Sequence, residues 1–238
     1  MILPQSHTLT TRHLNRVFDN TVATYKYYWF LGILDACVKQ DKSRINVWDI
    51  MISMVANAWY PVNYFRLSFG KSESLYDAII TLQREYNIPI NISINELTEL
   101  LQTLIQRREV RRLLNFLQMN VPFRFLRPWI DTSDDIQTVL RSQTFENGCL
   151  YKLEKIDRIW WVEINPAWLP YLRENYDILT SFAYWGLTNF LQVRNPNVPN
   201  IPNKLIKREE RSSLLEQRKF WNTGINNGLE VHCLYTDK

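Results

Sequence analysis

A cluster of arginines is the part of this sequence best suited to chemistry. Its members are Arg107, Arg108, Arg111 and Arg112. Residues four apart share a helix face, so the segment, which predicts a helix, carries two adjacent cationic rows. The planar guanidinium binds phosphate through paired hydrogen bonds, and clustered positive charge releases counterions from a polyanion. The pattern therefore favours contact with nucleic acid. The competing interpretation is a solvated helix face whose arginines pair with acids of neighbouring helices.

Further cations follow in two places along the chain. One group is interleaved with aromatic residues just after the arginine helix, and the other lies in and after a proline-rich stretch, where residues 194 to 219 carry seven cations against three acids. Local ion pairs on a solvated helix are again the alternative. The full set of candidate nucleic-acid-binding residues is Arg107, Arg108, Arg111, Arg112, Arg124, Arg127, Arg194, Lys204, Lys207 and Arg208.

Catalytic and metal-binding patterns are missing from the sequence. The six glycines are scattered, which excludes the phosphate loops of dinucleotide enzymes and P-loop NTPases. The three cysteines form no CxxC pair, so neither a zinc site nor a disulfide framework is predicted, and free thiols fit a reducing cytoplasm. His232 and Cys233 are adjacent on a predicted strand and would point to opposite faces. We therefore predict no catalytic residue and no metal ligand.

Composition indicates a globular protein with a mild positive charge. Apolar residues make up 46% and charged residues 22% of 238, and the net charge is +4. The longest apolar run, residues 27 to 34, is far shorter than the roughly 20 residues that span a bilayer. The N-terminus lacks the pattern of a signal peptide. We expect a cytoplasmic protein without a membrane partner.

Periodicity and capping signals predict a mainly α fold with one small β-hairpin. Asp19, Asn20 and Thr21 offer N-caps for the first long helix, and Pro61 is expected to halt or kink the second. The SINE sequence, residues 93 to 96, matches a capping box. Two β-prone runs within residues 149 to 164 predict the hairpin.

These elements divide into three parts. Residues 1 to 194 form a helical body, and residues 195 to 206 form a connector with prolines at 196, 199 and 202. Because proline also restricts the residue before it, we expect this connector to be extended and stiff rather than helical. Residues 207 to 238 then predict a charged helix followed by a terminal strand.

Several segments resemble the region upstream of the nuclease module in bacterial HNH endonuclease-like proteins. The most specific is the proline-rich QVRNPNVPNIPNKLIK, residues 192 to 207, followed by QRKFW and CLYTDK. FDNTVATYKYYWFLGILD, ANAWYPVNYFRLSFGK and FENGCLY fit the same group. The resemblance runs over most of the chain. It implies a DNA-engaging or regulatory region of an HNH-type endonuclease.

The HNH resemblance carries no catalytic residue onto this chain. In that family an Asp-His pair, an Asn and a second His hold one divalent ion, commonly magnesium, and activate water. Cys233, Tyr235, Thr236 and Lys238 match only the lead-in to the Asp-His pair. We therefore expect a divalent metal only with the nuclease module, and no cleavage by this chain alone. The alternative from another class is an all-helical protein-interaction or homo-oligomerisation module that does not bind DNA.

Overall fold

The computed structural model describes residues 3–70, 73–206, 222–223 and 225–226, and it is mainly helical with a small antiparallel sheet. The predicted fold class is confirmed. Helices in the described residues are α1 (Arg12–Asn15), α2 (Tyr25–Leu34), α3 (Val47–Asn63), α4 (Ser74–Glu85), α5 (Ile94–Leu104), α6 (Arg108–Gln118), α7 (Val121–Phe125), α8 (Asp135–Ser142), α9 (Trp168–Glu174), α10 (Tyr176–Arg194) and α11 (Ile201–Ile206). The strands are β1 (Arg44–Asn46), β2 (Tyr151–Ile156) and β3 (Ile159–Ile164).

Helices α2 and α3 pack together at the centre of the core. From Tyr27 to Leu34 every residue of α2 is buried, as expected for a helix that is apolar all round. A π-helical turn, Asp35–Lys39, extends α2. Around this pair, α3 contacts α4, α5 and α6, and α10 contacts α2. The arginine-rich helix α6 is thereby fixed to the body through its buried residues Val110, Leu114 and Leu117.

The sheet contains the predicted hairpin and a third strand. Strand order is β1-β3-β2 with antiparallel pairing throughout. The hairpin turn consists of Asp157 and Arg158, and both have positive φ, 48° and 67°. Such two-residue turns match the twist of the strands and favour glycine or asparagine. The hairpin thus presents an arginine at a backbone position that arginine rarely adopts.

One predicted helix start is wrong, and the halt that was one of the two outcomes expected at Pro61 does not occur. The first long helix begins after Thr24 rather than after the predicted caps at Asp19, Asn20 or Thr21. Pro61 neither halts nor breaks α3, which continues to Asn63. Pro61 and Val62 are both buried, so their packing against the core offsets the missing backbone hydrogen bond.

The connector is also corrected. Residues 195 to 206 are not extended throughout, because Ile201–Ile206 form α11 with Pro202 as its second residue. Proline is tolerated in the first turn, where its amide would lack an intrahelical partner anyway. Helix α11 packs against α10 and α3, and Ile201 and Leu205 are buried. The compact body therefore extends to Ile206 rather than to Arg194. The predicted helix and strand of residues 207 to 238 lie almost entirely outside the described residues.

Candidate functional site

Three of the predicted arginines line one cleft. Arg108, Arg111 and Arg112 project from α6 toward the hairpin turn, where Arg158 completes the set. Trp48 at the start of α3 and Ile159 form apolar parts of its wall, and the cleft has a volume of about 460 Å³. We call it the cationic cleft. The helical spacing of Arg108, Arg111 and Arg112 thus places them on one face of α6, as the sequence predicts.

Arg111 is held in place by the protein itself. Its Nε donates to the carbonyl of Ile105 at 2.8 Å, and an Nη donates to the side chain of Gln106 at 3.2 Å. Its guanidinium carbon lies 5.8 Å from the centroid of the Trp48 ring, within the range of a cation–π contact. Arg111 therefore donates a hydrogen bond to a backbone carbonyl at the C-terminal end of α5. The same contacts hold its positive charge in a fixed position at the wall of the cleft.

The other three guanidinium groups of the cleft are exposed. Within the part of the chain that the structure describes, Arg108, Arg112 and Arg158 make no ion pair with an acidic side chain within 4.0 Å. Asp157 is the one acid that lines this cleft among those residues. The alternative from the sequence was a helix face whose arginines pair with acids of neighbouring helices. In the described residues these three arginines do not form such pairs. The cleft concentrates positive charge that is available to an anion.

Arg158 is the cleft residue that sequence reasoning missed. It lies 46 positions after Arg112 in the chain, and only the tight hairpin turn brings it beside α6. Its positive φ marks it in the structure as an unusual position for a non-glycine residue, but that dihedral angle cannot be read from the sequence. The sequence predicts the hairpin but does not indicate which side chain its turn presents.

A second, apolar cleft adjoins the cationic one. It has a volume of about 400 Å³ between α6, α8 and the hairpin, and Met119, Ile136, Val139 and Trp160 form much of its lining. Met119 and Ile136 are 58% and 71% exposed. This cleft is absent from the sequence predictions, because its residues come from three separate elements.

Other predicted cations lie elsewhere. Arg107 occupies the N-cap position of α6 without a side-chain capping hydrogen bond, and its guanidinium carbon lies 5.5 Å from the centroid of the Tyr86 ring. Arg124 and Arg127 on and just after α7 are exposed and form a second group with Lys26. Burial lowers the pKa of the Lys26 ammonium, and the charges of Arg127 and Arg124 lower it further. This group concentrates charge too, but none of its members lines the cationic cleft.

Arg194 and Lys204 are engaged with the protein body. Arg194 stacks on the ring of Phe190, 3.4 Å from its centroid, and donates to the Phe190 carbonyl at 2.9 Å. Lys204 donates to the carbonyl of Pro199 and lies 5.4 Å from the ring centroid of Phe65. Both cations therefore have local structural partners. Lys207 and Arg208 fall outside the described residues.

The described residues provide neither a metal-binding cluster nor a reactive thiol. No group of three or more His, Cys, Asp or Glu side chains in them is placed to hold a metal ion. Cys37 and Cys149 are buried free thiols, and burial raises the pKa of each to about 12, which keeps them protonated and unreactive. His232 and Cys233 lie outside the described residues. No helix of the described part is both long and apolar enough to cross a membrane.

Comparison with known proteins returned no match to a family model, to a curated protein or to a solved structure. The resemblance to HNH endonuclease-like proteins therefore stays a prediction from the quoted segments.

Proposed function

We propose that this protein binds DNA through the cationic cleft, as a DNA-engaging or regulatory region of an HNH-type endonuclease. The observation that carries the DNA-binding proposal is the convergence of Arg108, Arg112 and Arg158 without a carboxylate partner among the described residues. Arginine is the side chain best matched to phosphate oxygens. The link to the HNH family is supported by the sequence resemblance alone. We also propose a cytoplasmic location, which suits buried free thiols.

A salt titration of DNA binding tests the cleft. We expect the triple variant R108Q/R112Q/R158Q to reduce the slope of log K against log salt by about 2 to 3, because each lost phosphate contact removes roughly 0.9 from that slope. Arg111 is kept, since its substitution would also break the hydrogen bond to Ile105. The measurement is fluorescence anisotropy of a labelled duplex between low and moderate chloride concentrations.

The matched control is R12Q/R66Q/R84Q, which removes three exposed arginines that line neither cleft. This variant should weaken binding slightly through net charge and leave the slope close to that of the wild type. An unchanged slope in the cleft variant would reject the cleft as the phosphate-binding surface. Cleavage of the duplex by this chain in magnesium would contradict the expectation that it acts without hydrolysis.

A protein-interaction or oligomerisation module is the second candidate, and α8 favours it. This helix buries the polar residues Thr138 and Ser142, whose hydroxyls donate to backbone carbonyls of the same helix. It exposes Ile136 and Leu140, by 71% and 59%. Exposed apolar side chains four residues apart on one helix face are typical of a surface that another protein covers. Salt-independent self-association without DNA binding would support this candidate.

A further inference from the structure

The two clefts form one continuous groove. Asn115 and Arg158 line both of them, so the charged wall of the first leads directly into the apolar wall of the second. At one end the groove has the guanidinium groups of α6, and at the other it has Met119 and Ile136. A ligand that fills both ends needs anionic groups at one end and flat or apolar groups at the other.

Trp160 is the aromatic residue best placed to receive a flat ligand. It lies on β3, lines the apolar cleft and is half-buried. Phe123 contacts it edge-to-face, with ring centroids 5.3 Å apart and planes at 85°. Lys155 lies 5.2 Å from its centroid and also lines the cleft. The tryptophan is therefore fixed in orientation and has a cation beside it, an arrangement that suits a base attached to a phosphate.

The form of the nucleic acid decides whether both ends can be used. In a duplex the bases are stacked inside and the phosphates face outward, so a duplex would meet the arginines and leave the apolar cleft empty. A single strand can turn its bases out and stack them on aromatic side chains while its phosphates follow a cationic groove. Of these two forms, only the single strand can place phosphates at the charged end and unstacked bases at the apolar end.

Building on the proposed function, we propose that the groove binds single-stranded nucleic acid. The phosphates contact Arg108, Arg112 and Arg158, and one or two bases enter the apolar cleft against Trp160. Asn115, at the junction of the two clefts, offers an amide that can both donate to and accept from a base edge.

Three probes of equal length separate base contacts from phosphate contacts. They are an oligothymidine of about 12 nucleotides, an abasic strand with the same number of phosphates, and a duplex. We expect the wild-type full chain to bind the oligothymidine roughly tenfold or more tightly than the abasic strand, because base–aromatic stacking adds to the phosphate contacts. Binding to the duplex should resemble binding to the abasic strand. This comparison requires no variant and is therefore independent of folding defects.

Variants then locate the base. Trp160→Ala should lower the affinity for oligothymidine about tenfold and leave the affinity for the abasic strand unchanged. The control is Trp161→Ala, because the neighbouring tryptophan points to the opposite face of the sheet, where it contacts Arg44. Met119→Ala, at an exposed position, removes apolar lining without changing the charge, should have the same selective effect and repeats the test without disturbing the core.

Each outcome has a defined meaning. Preference for oligothymidine that Trp160→Ala abolishes supports the inference. Equal, salt-dependent binding of all three probes overturns the inference and leaves the proposed DNA binding in place. Failure of all probes to bind overturns both, and self-association of the same samples would then favour the protein-interaction candidate.

Discussion

At the scale of single residues, Glu73 is an unusual carboxyl group. It is only 3% exposed, and one oxygen accepts a hydrogen bond from the backbone amide of Thr24. Burial raises the pKa of Glu73 to about 7, although the hydrogen bonds from Thr24 and Tyr25 and the charge of Arg194 act in the opposite direction. The group therefore titrates near neutral pH and joins the start of α2 to the start of α4.

This titration predicts a pH-dependent stability. Because the folded-state pKa lies above the ordinary value of 4.5, the folded chain holds the proton more strongly than the unfolded chain. The resulting stabilisation is fully present below that ordinary value and is lost as the pH rises through about 7. We expect Glu73→Gln, which keeps an acceptor oxygen without the charge, to stabilise the protein by about 2 to 3 kcal/mol at about pH 8 and by little at about pH 4. Thermal unfolding at both pH values measures the difference.

Glu85→Gln, at the exposed end of α4, is the matched control for Glu73→Gln. It should change the unfolding temperature by the same small amount at both pH values. An equal effect of Glu73→Gln at the two pH values would contradict the link between its protonation and folding.

Residue positions in the candidate site were predictable only where they depend on local geometry. The common face of Arg108, Arg111 and Arg112 follows from helical spacing, so the sequence suffices for it. The contribution of Arg158 depends on a turn conformation that its residue type disfavours, and no pattern predicts it. The stacking of Arg194 on Phe190 could not be predicted either. It depends on the rotamer that the arginine side chain adopts in the packed structure, and the sequence is equally compatible with an arginine that faces solvent.

At the scale of elements, the crossing of α2 and α3 depends on one small residue. A methyl group at Gly32 would lie 2.9 Å from Cγ2 of Ile50 and 3.4 Å from its carbonyl oxygen. Glycine therefore permits the close approach of the two central helices. The loss of helix propensity at this position is the cost of that approach.

Gly32→Ala tests which effect is larger. Alanine favours the helix by up to about 1 kcal/mol, but the stiff branched side chain of Ile50 has to move, and overpacking typically costs about 1 to 3 kcal/mol. We expect a net loss of stability in urea unfolding, together with partial recovery when Ile50→Leu, which removes the Cγ2 methyl group, relieves the contact. Ser181→Ala, at an exposed position of α10, should be neutral or slightly stabilising. Stabilisation by Gly32→Ala would show that the crossing can relax at little cost.

The elements that the sequence predicts are those with strong local signals. The capping box at Ser93 and Glu96 is present in full. Strand β1 was not predicted, because three residues carry no period and its hydrogen bonds go to a strand more than 110 positions away. At Pro61 and Pro202 a strong local signal is misleading. Proline disfavours a helix locally, but at both positions the burial of neighbouring side chains allows the helix to include the proline.

At the scale of the whole molecule, α11 closes the body. Asn195 is buried, accepts from the Ser68 amide at 2.8 Å and donates to the carbonyls of Ser68 and Leu191, both at 2.8 Å. These hydrogen bonds turn the chain back onto the body after α10. Ile201 and Leu205 then complete the core.

Two truncations test this boundary. A chain that ends at residue 206 keeps these contacts, whereas one that ends at residue 194 loses Asn195 and two buried aliphatic side chains. We expect the shorter chain to be less stable by roughly 3 kcal/mol or more, because each buried aliphatic side chain contributes about 1.5 to 3 kcal/mol. Urea unfolding of the two chains gives the difference. Equal stabilities would show that residues 195 to 206 are a connector after all.

The outward-facing isoleucine and leucine of α8 have a consequence for how binding is best studied. Kosmotropic anions such as sulfate are excluded from protein surfaces and strengthen the association of exposed hydrocarbon. Concentrated sulfate would therefore strengthen association of molecules through this helix, and the resulting precipitate would be mistaken for tighter ligand binding. Sodium chloride weakens ionic contacts without that side effect. A chloride titration therefore measures the ionic contribution to binding, whereas a sulfate titration also measures association of exposed hydrocarbon.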